Sequence, residues 1–152
     1  MSVATTAGTK LYLAVGKPAT IDQAGFEDVS LTYVEISETT DLSEIGGEYQ
    51  AVTYDPIGNR ITQTLKGQYS PNSQAISLGM DLTDTGQQML VTATTVGSAT
   101  EDTEHSVKHL LKDGTKVYYY GQVMSFSMGF GDANQVTAAT TAIAANSINV
   151  VV

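Results

Sequence analysis

His105 and His109 stand four residues apart, a spacing that on a helix would bring two imidazoles together over one metal ion. Their segment, His105–Lys112, reads as a strand, where both rings share a face with Val107 and Leu111. No carboxylate-rich motif sits at ligand spacing beside them, so half-buried strand histidines are the better reading. Glu101-Asp102-Thr103-Glu104 could gather calcium, but EF-hand spacing and its glycine are missing, and the run reads as a solvated loop. Gly129-Phe130-Gly131 holds a Gly-x-Gly without the third glycine or the helix of a dinucleotide site. Tyr118-Tyr119-Tyr120 could stack on sugars or bases. Alternation instead groups Tyr118 and Tyr120 with Met124 and Phe126 in a core and leaves Tyr119 for the opposite face. Arg60, the only arginine, fits two roles equally, an ion pair across a subunit interface or a strand cap. The chain has no cysteine, which excludes thiolate chemistry and Cys-zinc or iron–sulfur sites. Nucleophile elbow, phosphate loop and zincin motifs are also missing. The residues therefore predict no catalytic, metal or cofactor site and no enzyme.

Composition sets the elements that would have to position any other kind of site. At 152 residues the chain falls in the size range of one domain, about 100–200 residues, and can bury roughly 70% of its unfolded surface without staples. Sixteen acidic against seven basic residues give a net charge of −9 and a pI near 4.3. Such a surface does not condense on nucleic-acid phosphates or on an anionic membrane. Only 15% of residues are charged, against about 25% in ordinary globular domains. Thr, Ser, Gly and Asn replace them, as in a β protein largely covered by something other than water. The first residues lack a basic region, and the apolar run Leu11–Val15 is too short for a signal core. The charge-free stretch Ala133–Val152 carries too many Asn, Gln and Thr to cross hydrocarbon. The expectation is a protein made in a cytoplasm, with no address of its own and no membrane partner.

Periodicity predicts mainly strand. Lys10–Val15, Val29–Ser37, Tyr49–Tyr54, Arg60–Gly67, Gln74–Leu82, His105–Lys112, Thr115–Tyr120, Gln122–Phe130, Val136–Ala144 and Ile148–Val152 are the expected strands. Asp55-Pro56-Ile57-Gly58-Asn59 marks a tight connection, and Asp113-Gly114 is the strongest hairpin signal. In Gln74–Leu82, Ile76, Leu78, Met80 and Leu82 alternate against Ala75, Ser77, Gly79 and Asp81. In Gln122–Phe130, Met124, Phe126, Met128 and Phe130 alternate against Val123, Ser125, Ser127 and Gly129. Ile76, Leu78 and Met80 of the first set and Met124, Phe126, Met128 and Phe130 of the second are the predicted core. One helix is expected, capped by Asp84 with Gln87 three residues on, turning Gly86, Met89, Leu90 and Ala93 inward and ending near Thr95. From Val117 to Val152 there is one charge, Asp132, in 36 residues. A solvated antiparallel face would carry Lys, Glu or Arg, so a helix or a neighbouring subunit must cover this one.

The order of several short motifs carries a family resemblance. The segment Ile36-Ser37-Glu38-Thr39-Thr40-Asp41-Leu42-Ser43-Glu44-Ile45-Gly46-Gly47-Glu48 resembles the opening of the long loop in the major tail tube proteins of long, flexible-tailed (siphovirus-type) bacteriophages. Val52-Thr53-Tyr54-Asp55, Arg60 and Leu65-Lys66-Gly67 follow in that family's order. After them come the alternating strand Ile76–Asp81, the helix with Gly86-Gln87-Gln88-Met89-Leu90, the hairpin Asp113-Gly114-Thr115, and Val123-Met124-Ser125-Phe126-Ser127. The resemblance runs over roughly residues 29–152.

What the resemblance implies is a single domain over residues 1–152, a β-sandwich with one short flanking helix and a long loop (about 38–74), ending in a strand arm (about 146–152). Such proteins form hexameric rings that stack into a hollow tube. Six inner sheets join into the lumen, and the loop and chain ends bridge rings. The implied partners are further copies of the chain, the tape-measure protein, the tail terminator and baseplate proteins, and DNA that crosses the lumen without specific binding. The implied place is the virion tail, assembled in the bacterial host cytoplasm, with no cofactor. Leu42, Ile45, Gly46, Gly47, Tyr49, Tyr54, Ile57, Arg60 and Tyr69 are the expected inter-subunit loop residues. Ala75, Ser77, Gly79, Asp81, Ser125 and Ser127 are either the lumen face or a layer beneath the helix. Two other readings share this composition: a tube-forming component of a bacterial contractile secretion system, and a capsid-decorating or adhesive β-sandwich.

Overall fold

The structure, a computed structural model, describes Val3 and residues 5–152. It is mainly β, with one large antiparallel sheet. In spatial order the sheet runs β2 (Val34–Ile36), β1 (Lys10–Val15), β7 (His105–Leu110), β8 (Lys116–Gly129), β9 (Ala138–Ala145), β6 (Ser73–Gly79) and β3 (Thr39–Asp41), with β10 (Val150–Val151) added to β8. The two edge strands, β2 and β3, are parted in the chain only by Ser37 and Glu38. The three steps from Ile36 to Thr39 span at most about 11 Å, so the sheet must curl until its edges nearly meet, enclosing its own core as the two layers of a sandwich do. Glu38 makes this crossing with a left-handed backbone, φ 63°.

Inside the curl lie Leu11, Leu13, Ile36, Ile76, Leu78, Val107, Tyr119, Val123, Ala139 and Ile143, closed by Leu90 and Ala93 of α2 (Thr85–Thr94). The helix begins as expected: Asp84 accepts from the Gln87 N–H at 3.1 Å, satisfying an orphan donor of the first turn. Its buried face is Gly86, Gln87, Leu90 and Ala93. Gly86 passes so near the Glu35 carbonyl that a Cβ there would collide with it. The expected β7–β8 hairpin also forms, with Gly114 at φ 94° and Asp113 accepting from the Thr115 N–H at 2.9 Å.

Three expectations change. Val29–Ser37 is strand only at Val34–Ile36. Ahead of it comes a four-residue helix, α1 (Gln23–Phe26), which Asp22 caps by accepting from the Gly25 N–H at 2.8 Å. Phe26 stacks on Tyr118 at 5.4 Å and covers the outer side of the sheet there. The tyrosine triplet is therefore reversed: Tyr119 joins the main core and Tyr118 the small outer cluster under α1. The core expected from Met124, Phe126, Met128 and Phe130 is also corrected. A bulge between Val123 and Ser125 slips the phase of β8, so Val123 points inward and Met124 is 64% exposed. Past the bulge Phe126 packs against the core, whereas Met128, at the end of β8 opposite Ala139, is 41% exposed and Phe130, just past the strand, is exposed as well.

Candidate functional site

The stretch from about 38 to 74, which the resemblance makes a long loop, holds a second, two-stranded sheet built from the two strands expected at Tyr49–Tyr54 and Arg60–Gly67. Strands β4 (Gly47–Tyr54) and β5 (Gln63–Pro71) pair from Gly47↔Pro71 out to Tyr54↔Gln63, with a bulge opposite Gln50. They pair with no strand of the main sheet. Eight residues at about 3.4 Å each carry the tip about 27 Å from the root. Alternation puts Val52, Tyr54 and Leu65 on one side of this arm, and all three are exposed, as are Ile61 and Ile57 near its tip. On the other side Tyr49 meets Tyr69 edge-on at 5.1 Å, with the Lys66 ammonium 4.8 Å above the Tyr49 ring. An isolated two-stranded ribbon is marginal in water. One that also shows this row of apolar side chains is built to be covered.

The expected loop residues separate accordingly. Tyr49, Tyr54, Ile57, Arg60 and Tyr69 lie on the arm, while Leu42 and Ile45 pack against the chain's own core. Gly46, with φ 151°, and Gly47 form the root. A Cβ on Gly47 would strike the Ser70 carbonyl.

The small-residue positions form the second surface. Cross-strand register aligns three rows over β6, β9 and β8: Ala75–Ala142–Ser125, Ser77–Thr140–Ser127 and Gly79–Ala138–Gly129. None of the nine is charged, and none is buried. Ile76 and Leu78, on the reverse of β6, touch the cluster that contains Leu90 and Ala93. The helix therefore lies on the opposite side of the sheet, and none of the nine positions is buried by the described residues. Asp81 does not belong to them. It lies beyond β6, where its carboxylate accepts from the Thr83 hydroxyl at 2.6 Å and the Thr83 N–H at 3.0 Å, which holds its pKa below the usual carboxylate range. β9 supplies the middle member of each row, Ala142, Thr140 and Ala138, which sequence reasoning left out. Their period-two alternation with Ala139, Thr141 and Ile143 was the available signal.

The histidines are buried strand residues. The Gln74 side-chain amide donates to the Leu42 carbonyl at 2.8 Å and lies 2.8 Å from His109 Nε2, while the Tyr119 hydroxyl donates to Gln74 Oε1. Because the Gln74 NH2 donates, His109 Nε2 accepts and the ring is neutral with its proton on Nδ1. Burial pushes its pKa down to about 4. No group of three metal-ligating side chains occurs among the described residues, and no helix among them is long and apolar enough to cross a membrane. The only ion pair among the described residues joins Lys116 to Glu27 at 3.5 Å. Beside the root of the arm lies an apolar cavity of about 470 Å3, lined by Leu42, Ile45, Leu111 and Val117, with Lys112 and Asp113 also in its wall.

No protein-family model and no curated protein matches the chain. Solved structures do. A chain of the anti-feeding prophage baseplate, solved with six-fold symmetry, matches at a TM-score of 0.74 with 13% identity, covering 100% of this chain and 97% of that one. A chain from the sheath/tube terminator of the extracellular contractile injection system PVC, in its extended state, matches at 0.62 with 12% identity over 100% and 97%. One from the PVC sheath-tube complex matches at 0.56 with 13% identity over 99% and 90%. At these identities the likeness is one of fold, shared along nearly the whole chain with parts of contractile injection assemblies.

Proposed function

We propose that this chain is a structural subunit that associates with copies of itself into rings, stacked as the tube of a contractile injection system or phage-type tail. The observation that carries this reading is the β4–β5 arm, which stands off the sheet while exposing Val52, Tyr54, Ile57, Ile61 and Leu65. A neighbouring copy would cover it and supply the area a stable contact needs. The uncovered rows of Ala, Ser, Thr and Gly suit the wall of a channel: small, neutral side chains offer a passing polymer neither bulk nor charge to grip. The role proposed for the chain is structural rather than enzymatic.

The contractile assembly is preferred to the flexible phage tail because the fold neighbours named above come from contractile systems. Cargo then divides the proposal: protein for an injection system, DNA for a tail. The tape-measure and terminator partners and the cytoplasmic assembly belong to the tail version. A second reading, a baseplate or terminator position instead of the shaft, is favoured by the neighbour at TM-score 0.74, a baseplate chain. Negative-stain microscopy of the purified full chain tests both. Hollow tubes are expected for a shaft subunit, and rings that never stack for a terminal one. Solid, globular particles at all concentrations would overturn the proposal.

A further inference from the structure

We infer that the tip of the β4–β5 arm seats in the apolar cavity at the arm's root on a second copy, so that copies join head to tail. This inference rests on the self-assembly reading and names the contact that would produce it. Ile57 is fully exposed at the corner of a turn closed by the Asn59 N–H donating to the Pro56 carbonyl at 3.2 Å, and Asn59 Oδ1 in turn accepts from the Ile61 N–H at 3.1 Å. An isoleucine held outward by two local hydrogen bonds on a rigid Pro56 corner loses little freedom on docking. The cavity, about 470 Å3 and walled by Leu42, Ile45, Leu111 and Val117, lies within the range of about 300–1,000 Å3 that takes a compact apolar guest.

Charge fixes the occupant and its orientation. Asp55 and Arg60 flank the tip, Lys112 and Asp113 line the cavity, and none of the four has an ion-pair partner among the described residues. Seating Ile57 would place one opposite-sign partner for each charge at the rim: Asp55 with Lys112, and Arg60 with Asp113. The cavity begins at Leu42 and Ile45, immediately before the arm, whereas the tip stands about 27 Å away along eight residues of strand. The tip cannot reach the cavity of its own chain, so tip and cavity can meet only between molecules. A contact between two different patches is heterologous and propagates into a ring or a filament, with successive copies offset by about the arm's length.

The chain has no cysteine, so a disulfide can report the contact without background. The double variant Ile57→Cys with Lys112→Cys, oxidised after assembly, is expected to run as a ladder of dimers, trimers and longer multimers on a non-reducing gel, collapsing on reduction. Each single variant is expected to stay monomeric on that gel. Tubes or rings of the double variant that give no ladder would overturn the seating while leaving self-assembly intact. A wild-type chain that never associates would overturn both. Should the cysteine pair prevent assembly, the charges decide: Lys112→Asp is expected to raise the concentration needed for assembly several-fold, and adding Asp55→Lys to restore it. No loss with Lys112→Asp, or no rescue by the second change, contradicts the proposal.

Discussion

Gln87, on the first turn of α2, donates from Nε2 to the Ser37 carbonyl at 3.1 Å, fastening the helix to the two-residue link between the opposite edges of the sheet. The same nitrogen donates to the Gly79 carbonyl at 3.0 Å, and Oε1 accepts from the Asp81 N–H at 2.9 Å. One fully buried amide thus satisfies three backbone groups where β2, β3, β6 and α2 converge. Gln87→Leu keeps the bulk but orphans those groups, at about 1–3 kcal/mol for each that stays unpaired. A loss of about 3 kcal/mol is expected in urea unfolding. An unchanged midpoint would mean the link is held by other contacts.

The bulge in β8 makes neighbouring residues opposite in kind. Val123→Ala removes buried methyl groups and is expected to cost about 1–2 kcal/mol, whereas Met124→Ala, at an exposed site, is expected to stay within about 0.5 kcal/mol in the unassembled chain. Thermal melts of the two variants check the register, and the reverse order would place Met124 inside.

His109 gives the fold a pH dependence of defined sign. Its pKa falls from an ordinary value of 6.5 to about 4 through burial, so between those values the unfolded chain binds the extra proton. Stability should be full above about pH 6.5 and fall as pH drops toward 4, by up to about 3 kcal/mol. Protonation would also set two donors face to face at Gln74. His109→Gln is expected to flatten this part of the stability curve measured by denaturant titration at several pH values. A slope unaltered by the substitution would assign the effect to other groups.

Much of this was legible in the sequence because local chemistry and tertiary role agree. Ile76 and Leu78 alternate and are buried, Asp84 and Gln87 announce the helix start, and Asp113-Gly114 turns the hairpin. The misses have physical causes. Large residues continue at Met124, Met128 and Phe130, so nothing in the composition marks the bulge or the exposed end of β8. The arm's two strands were legible around the Asp55–Asn59 connection, but with solvent on both faces they lack the one-sided pattern that would fix their ends, and the second runs from Gln63 to Pro71 instead of from Arg60 to Gly67. α1 is a single turn held by Asp22, too short for a period, and the near-meeting of β2 and β3 is a tertiary property of the whole sheet.

The small-residue rows make a prediction about charge. Ser77→Lys and Thr140→Lys lie on an uncovered face and are expected to leave the melting temperature of the unassembled chain nearly unchanged. In assembled particles a lysine-lined wall should retain DNA in a salt-dependent way that the wild type does not. Failure of these variants to fold would mean the face is covered within the chain. Folding and assembly without DNA retention would place it away from the channel.

If the β4–β5 arm drives assembly, the curled sheet should fold without it. Gly47 and Pro71 are directly opposite across the ladder, so residues 48–70 can be replaced by an Asn-Gly turn. Deleting residues 38–47 instead would remove β3, Leu42 and Ile45 and damage the core. Sedimentation velocity of the full chain and the arm-less chain is the direct comparison. Large particles are expected from the first and a folded monomer, with the β signature kept in circular dichroism, from the second. Large particles from the arm-less chain at wild-type yield would contradict it.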